Sequence, residues 1–465
     1  MTKHRSFWLQ EIAGDAPDSP PLRESIKADL AILGGGYVGL WTALRIKEQQ
    51  PDCDVVVLEQ DICGGGASGR NGGFVLSWWP KLVTLAKLFG PEEAVRISRA
   101  SEDGIHEIER FCKFHDIDAD FRFGGWLWTA TNRAQEGSWH NVLRLCEKMG
   151  VSPFEPITPE EVALRSGSGR HRMGVFQPQA AIVQPAALVR GLRKVALHRG
   201  VRVFEHTQVL SFTRKQPVVL CTTGGGVVIA DKLVIANNAW AANIRELHRT
   251  MVVMSSDLVV TAPVPGRLEE IGWGRNRDLA ITDSQTMVDY YRITRDGRVA
   301  FGKGGWTIAY GGRIGQKFDR HSRRAAEVVS DFRKYYSALA DVPITHDWSG
   351  PVDRTPDSLP RLGYLGGKKH IVYGVGWSGN GVGPSVMGGR ILASLALGVK
   401  DKWSEHPLVE YSAHRYPPEP IRFVGAHLVR AAVATKERAE MIGKRPPFWS
   451  VQLTKLAPSG LEDKK

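Results

Sequence analysis

Residues 32–39 read Ile-Leu-Gly-Gly-Gly-Tyr-Val-Gly, and an acid, Glu59, stands twenty residues after the last glycine. The run 29–33 is a short apolar strand, 38–49 has a helical pattern, and 54–58 is a second strand that delivers Glu59 at its carboxyl end. Between the first strand and the helix lies G-x-G-x-x-G, as Gly34, Gly36 and Gly39. Gly34 suits the tight turn, Gly36 the approach of backbone to a pyrophosphate, and Gly39 close strand–helix packing. Glu59 suits hydrogen bonds from a ribose. Phosphates would sit at the helix N-terminus, where unpaired N–H groups and the dipole favour anions. A glycine-rich structural turn is the bland alternative. With strand, helix, second strand and acid in this order, a dinucleotide site on a parallel α/β sheet is the expectation.

At 465 residues the chain is too long for one ordinary core, so two or three domains are expected. No stretch approaches the roughly 20 apolar residues that span a bilayer, and the first residues lack the apolar core of a secretory signal. Five scattered cysteines (53, 63, 112, 146, 221) form no C-x-x-C and no metal spacing, which fits thiols in a reducing compartment. The cytoplasm is the expected location. A formal charge of +12 fits nucleic acid, an anionic membrane surface or an anionic substrate. No basic run with interleaved aromatics appears, so the charge is read as mostly solvated surface, with no nucleic-acid and no membrane partner expected.

Along the chain, residues 1–26 read as a lid or arm, 91–115 and 185–199 as helices, and 121–131 as a strand of a different sheet. Residues 218–222 and 227–230 read as a hairpin, followed by a separate strand at 232–236. Ser322 is a candidate N-cap for a helix over 322–336, and 348–363 is a Pro- and Asp-rich loop. A strand at 370–373, a glycine-rich loop at 374–383 and a last helix at 384–397 follow. The tail 421–442 repeats Ile421, Val424, Leu428, Ala432, Ala439 and Ile442 at helical spacing. Docking on its own domain or a subunit is the preferred reading, with a membrane surface as the alternative. The dinucleotide-binding pieces are split by strand-rich insertions, an order common in flavoproteins.

Further motifs carry a resemblance. They are Gly-Ala-Ser-Gly-Arg-Asn-Gly-Gly at 66–73, Gln-Pro-Ala-Ala-Leu at 184–188, and Tyr-Tyr-Arg at 290–292. Trp-Ser-Gly-Pro at 348–351, Thr-Pro-Asp-Ser-Leu-Pro at 355–360 and Gly-Trp-Ser-Gly-Asn-Gly-Val-Gly at 376–383 complete the set. With these, the chain resembles the D-amino-acid-oxidase-like, or glycine/sarcosine-oxidase-like, FAD-dependent oxidoreductases, in particular the γ-glutamylputrescine-oxidase-like branch. The resemblance runs from about residue 7 to the C-terminus. It implies an α/β fold: a Rossmann-type FAD-binding domain (27–118, 160–248 and 346–400) interrupted by a mixed antiparallel-sheet substrate domain (119–159 and 249–345), then a helical tail (401–465).

The resemblance also implies the chemistry. An amine, or an amino-acid derivative, is oxidised at its C–N bond to an imine that hydrolyses, with electrons passed from flavin to oxygen. A dehydrogenase using a quinone or protein acceptor is the alternative, and a flavoprotein acting on modified tRNA a weaker one. Cofactor-binding residues would be Gly34, Gly36, Tyr37, Gly39, Glu59, Ser68, Arg70, Asn71, Gly72, Gly73, Val209, Gly379, Asn380, Gly381 and Val382. No metal is expected. FAD is expected to be non-covalent, since Cys63 stands in no recognised linkage motif. Lys303 is the candidate cation above the flavin, with a solvated turn lysine as the alternative. Tyr291 and Arg292 are candidate cavity residues, and alternation turns only one of them inward. Relatives of glycine-oxidase type hold a substrate carboxylate with an arginine where this chain has Val352, with Arg354 displaced by two. That favours an amine or a more distant acid group. Asp353 either attracts a cationic amine or caps a turn.

Overall fold

The apolar alternation around Ala31 builds the centre of the molecule. Ser25–Leu33 lies between two parallel neighbours, Val55–Leu58 and Val227–Ile235. Arg202–Phe204 extends the parallel set on one side and Ile371–Val375 on the other. Leu30 and Ile32 point into the core shared with three helices, Tyr37–Gln49, Pro185–His198 and Ser385–Leu397. Ala31 points to the opposite face, against Val56, Leu58 and the short turn Asn238–Asn243. The computed structural model describes residues 5–14, 17–315, 318 and 321–458. Parts of the expected arm (1–4 and 15–16) and tail (459–465) lie outside the described residues.

A second sheet of eight strands holds, in order, Ile344–Arg354, Val252–Thr261, Val299–Ile308, Asp289–Ile293, Ala280–Thr282, Trp126–Ala130, Met173–Gln177 and Glu155–Pro156. All neighbours are antiparallel except Ala280–Thr282 with Trp126–Ala130. Helix Ala325–Tyr335 packs on one face, with Phe332 and Tyr335 against Tyr291 and Phe301.

Several expectations change. Residues 227–235 form one strand, not two: its first half pairs with Val218–Thr222 and its second half with Ile371–Val375. The polar pair Asp231–Lys232 looks like a break, but the strand passes it while Lys232 bonds the Ala396 carbonyl. Residues 348–354, expected to be loop, belong to the edge strand Ile344–Arg354. Pro351 is tolerated there because an edge strand leaves one side unpaired. That strand and Met173–Gln177 place the substrate-domain sheet inside segments read as FAD-binding, because each pairs across to a partner distant in sequence. Ser322 is not the helix cap. Its hydroxyl donates to Asp257 Oδ1 (2.8 Å), and the helix starts at Ala325.

The tail helix Ile421–Met441 docks on its own domain by an unexpected face. Arg422 is buried, donating to the carbonyls of His248 and Met251 and pairing with Glu419. Glu437 is buried one helix length away, accepting from Met287 N at 3.1 Å. Ala432 and Val433 fill the space between. Ile421, Val424, Leu428 and Ile442 of the expected stripe point outward instead.

Burial pushes the Glu437 carboxyl up to about 7, although Lys303 and the N–H groups of Met287 and Thr286 pull the other way. A raised folded value means the protonated form is the stabilising one. Its contribution is full below the ordinary glutamate range and is lost as pH rises through about 7. Glu437→Gln cannot ionise. Urea melts at about pH 5 and about pH 8 are therefore expected to show the wild type losing on the order of 2–3 kcal/mol more stability than the variant over that interval.

Candidate cofactor and substrate site

The parallel strands end at one edge, and there the chain opens a cavity of about 980 Å³. Backbone packs so closely at this edge that side chains are excluded. A Cβ on Gly34, whose φ is +113°, would lie 2.7 Å from the Ala236 carbonyl oxygen. One on Gly39 would lie 2.0 Å from the Gly34 oxygen, so helix Tyr37–Gln49 rests directly on the strand end. Gly36 caps that helix with no side chain of its own. The first helical N–H, on Tyr37, is instead met by Ser68 Oγ at 3.0 Å. Glu59 lines the cavity with its carboxylate aimed by two N–H donors, Gly35 (2.9 Å) and Asp61 (2.9 Å). Val209 lines the same end.

The 66–73 segment is a self-supporting loop. Asn71 Nδ2 donates to the carbonyls of Ala67 (3.1 Å) and Ser68 (2.9 Å), and its Oδ1 accepts from Gly73 N (2.7 Å). Arg70 Nε donates to Gly65 O (2.9 Å) and Nη1 to Ser349 O (3.2 Å). Arg70 and Asn71 therefore line the cavity while these polar atoms bond the loop's own carbonyls and Ser349. The N-terminal arm fastens the loop from behind: Ser6 Oγ donates to Gly69 O, Trp8 Nε1 to Asn71 O, and Arg5 pairs with Asp61.

Opposite stands the 376–383 loop, with Gly379, Asn380, Gly381 and Val382 all on the cavity wall. Asp353 shapes it. This fully buried carboxylate accepts from Gly376 N (2.5 Å) and Ser378 N (3.2 Å). Burial raises its pKa to about 6 against the pull of those donors. Of the two readings of Asp353, the turn-capping one matches this geometry.

Three catalytic expectations are corrected. Lys303 does not line the cavity. Its neighbours Gly304 and Gly305 do, and alternation sends Lys303 to the other face of the sheet. There its Nζ is held by Asp289 (2.9 Å) and Asp331 (3.1 Å). Burial alone would lower the ammonium's pKa, but Asp289, Asp331 and Asp283 outweigh it and hold it above the ordinary lysine value. Tyr291 is also on the far face, stacked on Phe301 at 4.7 Å with its hydroxyl at His171. Arg292 lies behind the wall: its guanidinium is buried over the Trp8 ring (4.8 Å) and against Gly73. Burial lowers its pKa to about 9. Gly73 likewise lies behind Gly72, which lines the cavity.

The inward residue of that strand is Tyr290. Its ring lies between Gly72 and Gly302, where Cβ atoms would come within 2.9 and 2.3 Å of it. Its hydroxyl meets Ser256 Oγ at 2.7 Å. Burial holds the phenol above its ordinary pKa, so it stays protonated at neutral pH. Met254, Val288, Phe74 and Val352 complete an apolar surround. Tyr290 and Ser256 were legible only as members of strands whose facing was open. Asn237 was missed too, although it follows directly on a parallel strand, where ligands of such sheets bind. It lines the cavity beside Gly34, and its buried Oδ1 accepts from no described residue. A ligand hydroxyl or amine would satisfy it. Glycine-walled approaches at one end, an oriented carboxylate, an unpaired buried acceptor and two ring-sized loops fit an elongated dinucleotide with a flat second half.

Comparison with known proteins agrees. The family described as "FAD dependent oxidoreductase" (DAO) matches residues 29–395. The probable oxidoreductase OrdL of Rhizobium meliloti (strain 1021) is 30% identical over 400 residues, covering 84% of this chain and 88% of that protein. The gamma-glutamylputrescine oxidoreductase of Escherichia coli (strain K12) is 29% identical over 406 residues, covering 87% and 91%. Among solved structures, glycine oxidase from Geobacillus kaustophilus superposes with a TM-score of 0.67 at 21% identity, covering 83% of this chain and 99% of that one. The chain belongs to the DAO family and is an FAD-dependent oxidoreductase.

Proposed function

We propose that this enzyme oxidises the C–N bond of a small amine to an imine, which water hydrolyses to an aldehyde or ketone and the freed amine. FAD supplies the two-electron acceptor for the hydride equivalent leaving the substrate carbon. In this reading Glu59 holds the ribose, Val209 borders the adenine, and the loops at 66–73 and 376–383 hold the flavin half. Cys63 is buried behind Gly35 and away from the cavity wall, which supports non-covalent binding.

The observation that carries the amine reading is the make-up of the substrate end. Tyr290 and Ser256 form a hydroxyl pair in an apolar surround, and Val352 stands where an arginine would hold an α-carboxylate. The phenol, kept protonated, donates to a neutral amine nitrogen or a nearby carbonyl, and exclusion of water by Met254, Val288 and Phe74 favours the uncharged amine. Arg354 also lines the cavity, two residues along the same strand and bonded to Ser358 Oγ at 3.2 Å. Two strand residues span about 7 Å, so an acid group met there lies well beyond the α position.

A second reading is favoured by the burial of Lys303. The lysine expected as a cation above the flavin is turned away from the cavity, so transfer to a quinone or a protein acceptor competes with transfer to oxygen. Oxygen uptake with peroxide formation during amine turnover identifies the oxidase. Reduction by amine with no oxygen uptake identifies the dehydrogenase.

The purified protein is expected to be yellow and to release its flavin on acid precipitation; colour retained in the pellet would overturn non-covalent binding. Gly36→Val, whose Cβ would meet Ser68 Oγ at 2.9 Å, is expected to lose most of the flavin. Anaerobic bleaching across polyamines, N-methyl amines, amino acids and aminophosphonates is expected to respond to amines without an α-carboxylate. Bleaching by α-amino acids alone would sink that substrate class. Tyr290→Phe is expected to keep its flavin and lose about tenfold in kcat/KM, the worth of one hydrogen bond.

A further inference from the structure

The helix Ile421–Met441 is docked by charges and wears its large apolar residues outward. Its inner face carries Arg422 and Glu437, both buried, with Ala432 and Val433 between them. Ile421, Val424, Leu428, Ala431 and Ile442 recur at steps of three, four, three and eleven, which keeps them on one narrow arc. Ile421, Val424, Leu428 and Ile442 are all more than half exposed. Ile421, Val424, Leu428 and Ala431 form a ridge about 15 Å long, and Ile442 lies further along the same side, past Thr435 and Arg438. The short helix Phe448–Thr454, which packs on the same tail helix, adds Phe448 at 77% exposure, Trp449 at 50% and, just beyond it, Leu456 at 70%. An amphipathic helix ordinarily turns such residues to the core, and a contiguous exposed set of this kind marks a contact surface.

The charges around the ridge select its partner. Residues 421–456 hold seven Lys/Arg and two Glu. Glu437 is buried, and Glu440 is half-buried and paired with Lys436. The exposed charged side chains of this stretch are Arg438, Lys444, Arg445 and Lys455, all basic. We propose that the tail helices form a docking surface for a bilayer carrying anionic phospholipid, with the apolar ridge and the Phe448–Trp449 pair entering the headgroup layer and the basic residues meeting phosphate. Apolar insertion plus several basic contacts are the two signals that stable peripheral binding needs. Aromatic side chains with a polar edge, such as Trp449, suit that depth. A second copy of the chain suits the surface less well. Every exposed charge of the stretch is basic and the chain carries +12, so a second copy brings like charge where anionic phospholipid brings opposite charge. Through Glu437 and Val433 the same helix packs against Met287, next to cavity-lining Val288. The proposed surface is thus one helix away from the substrate end.

Flotation of the full-length flavin-loaded protein with vesicles tests this. Vesicles of phosphatidylcholine with about a third phosphatidylglycerol, at roughly 0.1 M salt, are expected to carry most of the protein, and pure phosphatidylcholine little of it. Raising the salt to about 0.5 M is expected to release it, since screening shortens the reach of the basic residues. Leu428→Glu combined with Trp449→Glu is expected to cut binding at least about tenfold, with flavin content and amine turnover unchanged because both residues are exposed and neither lines the cavity. Lys444→Glu with Arg445→Glu is expected to weaken binding to anionic vesicles only. Three results would overturn the proposal: no flotation with anionic vesicles, flotation that survives the Leu428/Trp449 change, or a stable solution dimer that the same change converts to monomer.

Discussion

The contact on which the molecule is built is backbone on backbone. Helix Tyr37–Gln49 presses Gly39 onto the carbonyl of Gly34, closer than any Cβ would permit. This brings the helix start to the point where Ser25–Leu33 and Val227–Ile235 both end. The approach is then relayed outward. Gly389 of helix Ser385–Leu397 sits against Trp41, with a Cβ position 2.5 Å from that side chain, and Gly388 sits against the ring of Trp377. The 376–383 loop on the cavity wall is thereby placed by the same run of close contacts that places the Gly34–Gly39 turn. A side chain anywhere along this relay would shift both ends of the site together.

The second sheet works by separating its faces. On Asp289–Ile293 and Val299–Ile308, Tyr290 and Gly304 face the cavity while Asp289, Tyr291 and Lys303 face the other way. The far face gathers Lys303 among Asp283, Asp289 and Asp331, with Tyr335 Oη and Gln285 Nε2 shared between Asp283 and Asp289. One cation cannot neutralise so many buried carboxylates. Burial pushes Asp283, Asp289 and Glu437 upward, against the pull of Lys303 on each. What looks like an activating lysine beside a glycine turn is a buried anchor of the sheet, and Glu437 ties the tail helix to its margin.

This division explains what was legible in the sequence. The first strand, the glycine turn, the helix and Glu59 were legible because a local period and fixed spacings specify them. The loops at 66–73 and 376–383 were legible as motifs, but not in how Arg70 and Asn71 spend their polar atoms, which depends on Ser349 and on the loop's own carbonyls. Tyr290 and Tyr291 are adjacent and chemically alike, so only the pairing of Tyr290 with Gly302 decides which one faces the cavity. Pro351 disguised an edge strand as a loop. The tail was read with the right period and the wrong side inward, because period alone does not say whether a stripe meets the core or the solvent. The buried pair Arg422 and Glu437 settles it.

The edge strand Ile344–Arg354 separates what the fold needs from what the cavity presents. Asp353 is committed to the fold, since removing it would strand the N–H groups of Gly376 and Ser378, and each unpaired buried donor costs about 1–3 kcal/mol. Its neighbours Val352 and Arg354 lie on the other face, half-exposed toward the cavity, with one side of the strand free of ladder bonds. A change of side chain at 352 therefore alters what the cavity can hold without touching the sheet, the loops at 66–73 and 376–383 or the buried charge cluster. A cation at 352 would suit a carboxylate at that point of the cavity. Valine there, with arginine two residues on, leaves that place apolar and moves the nearest strand-borne positive charge about 7 Å away.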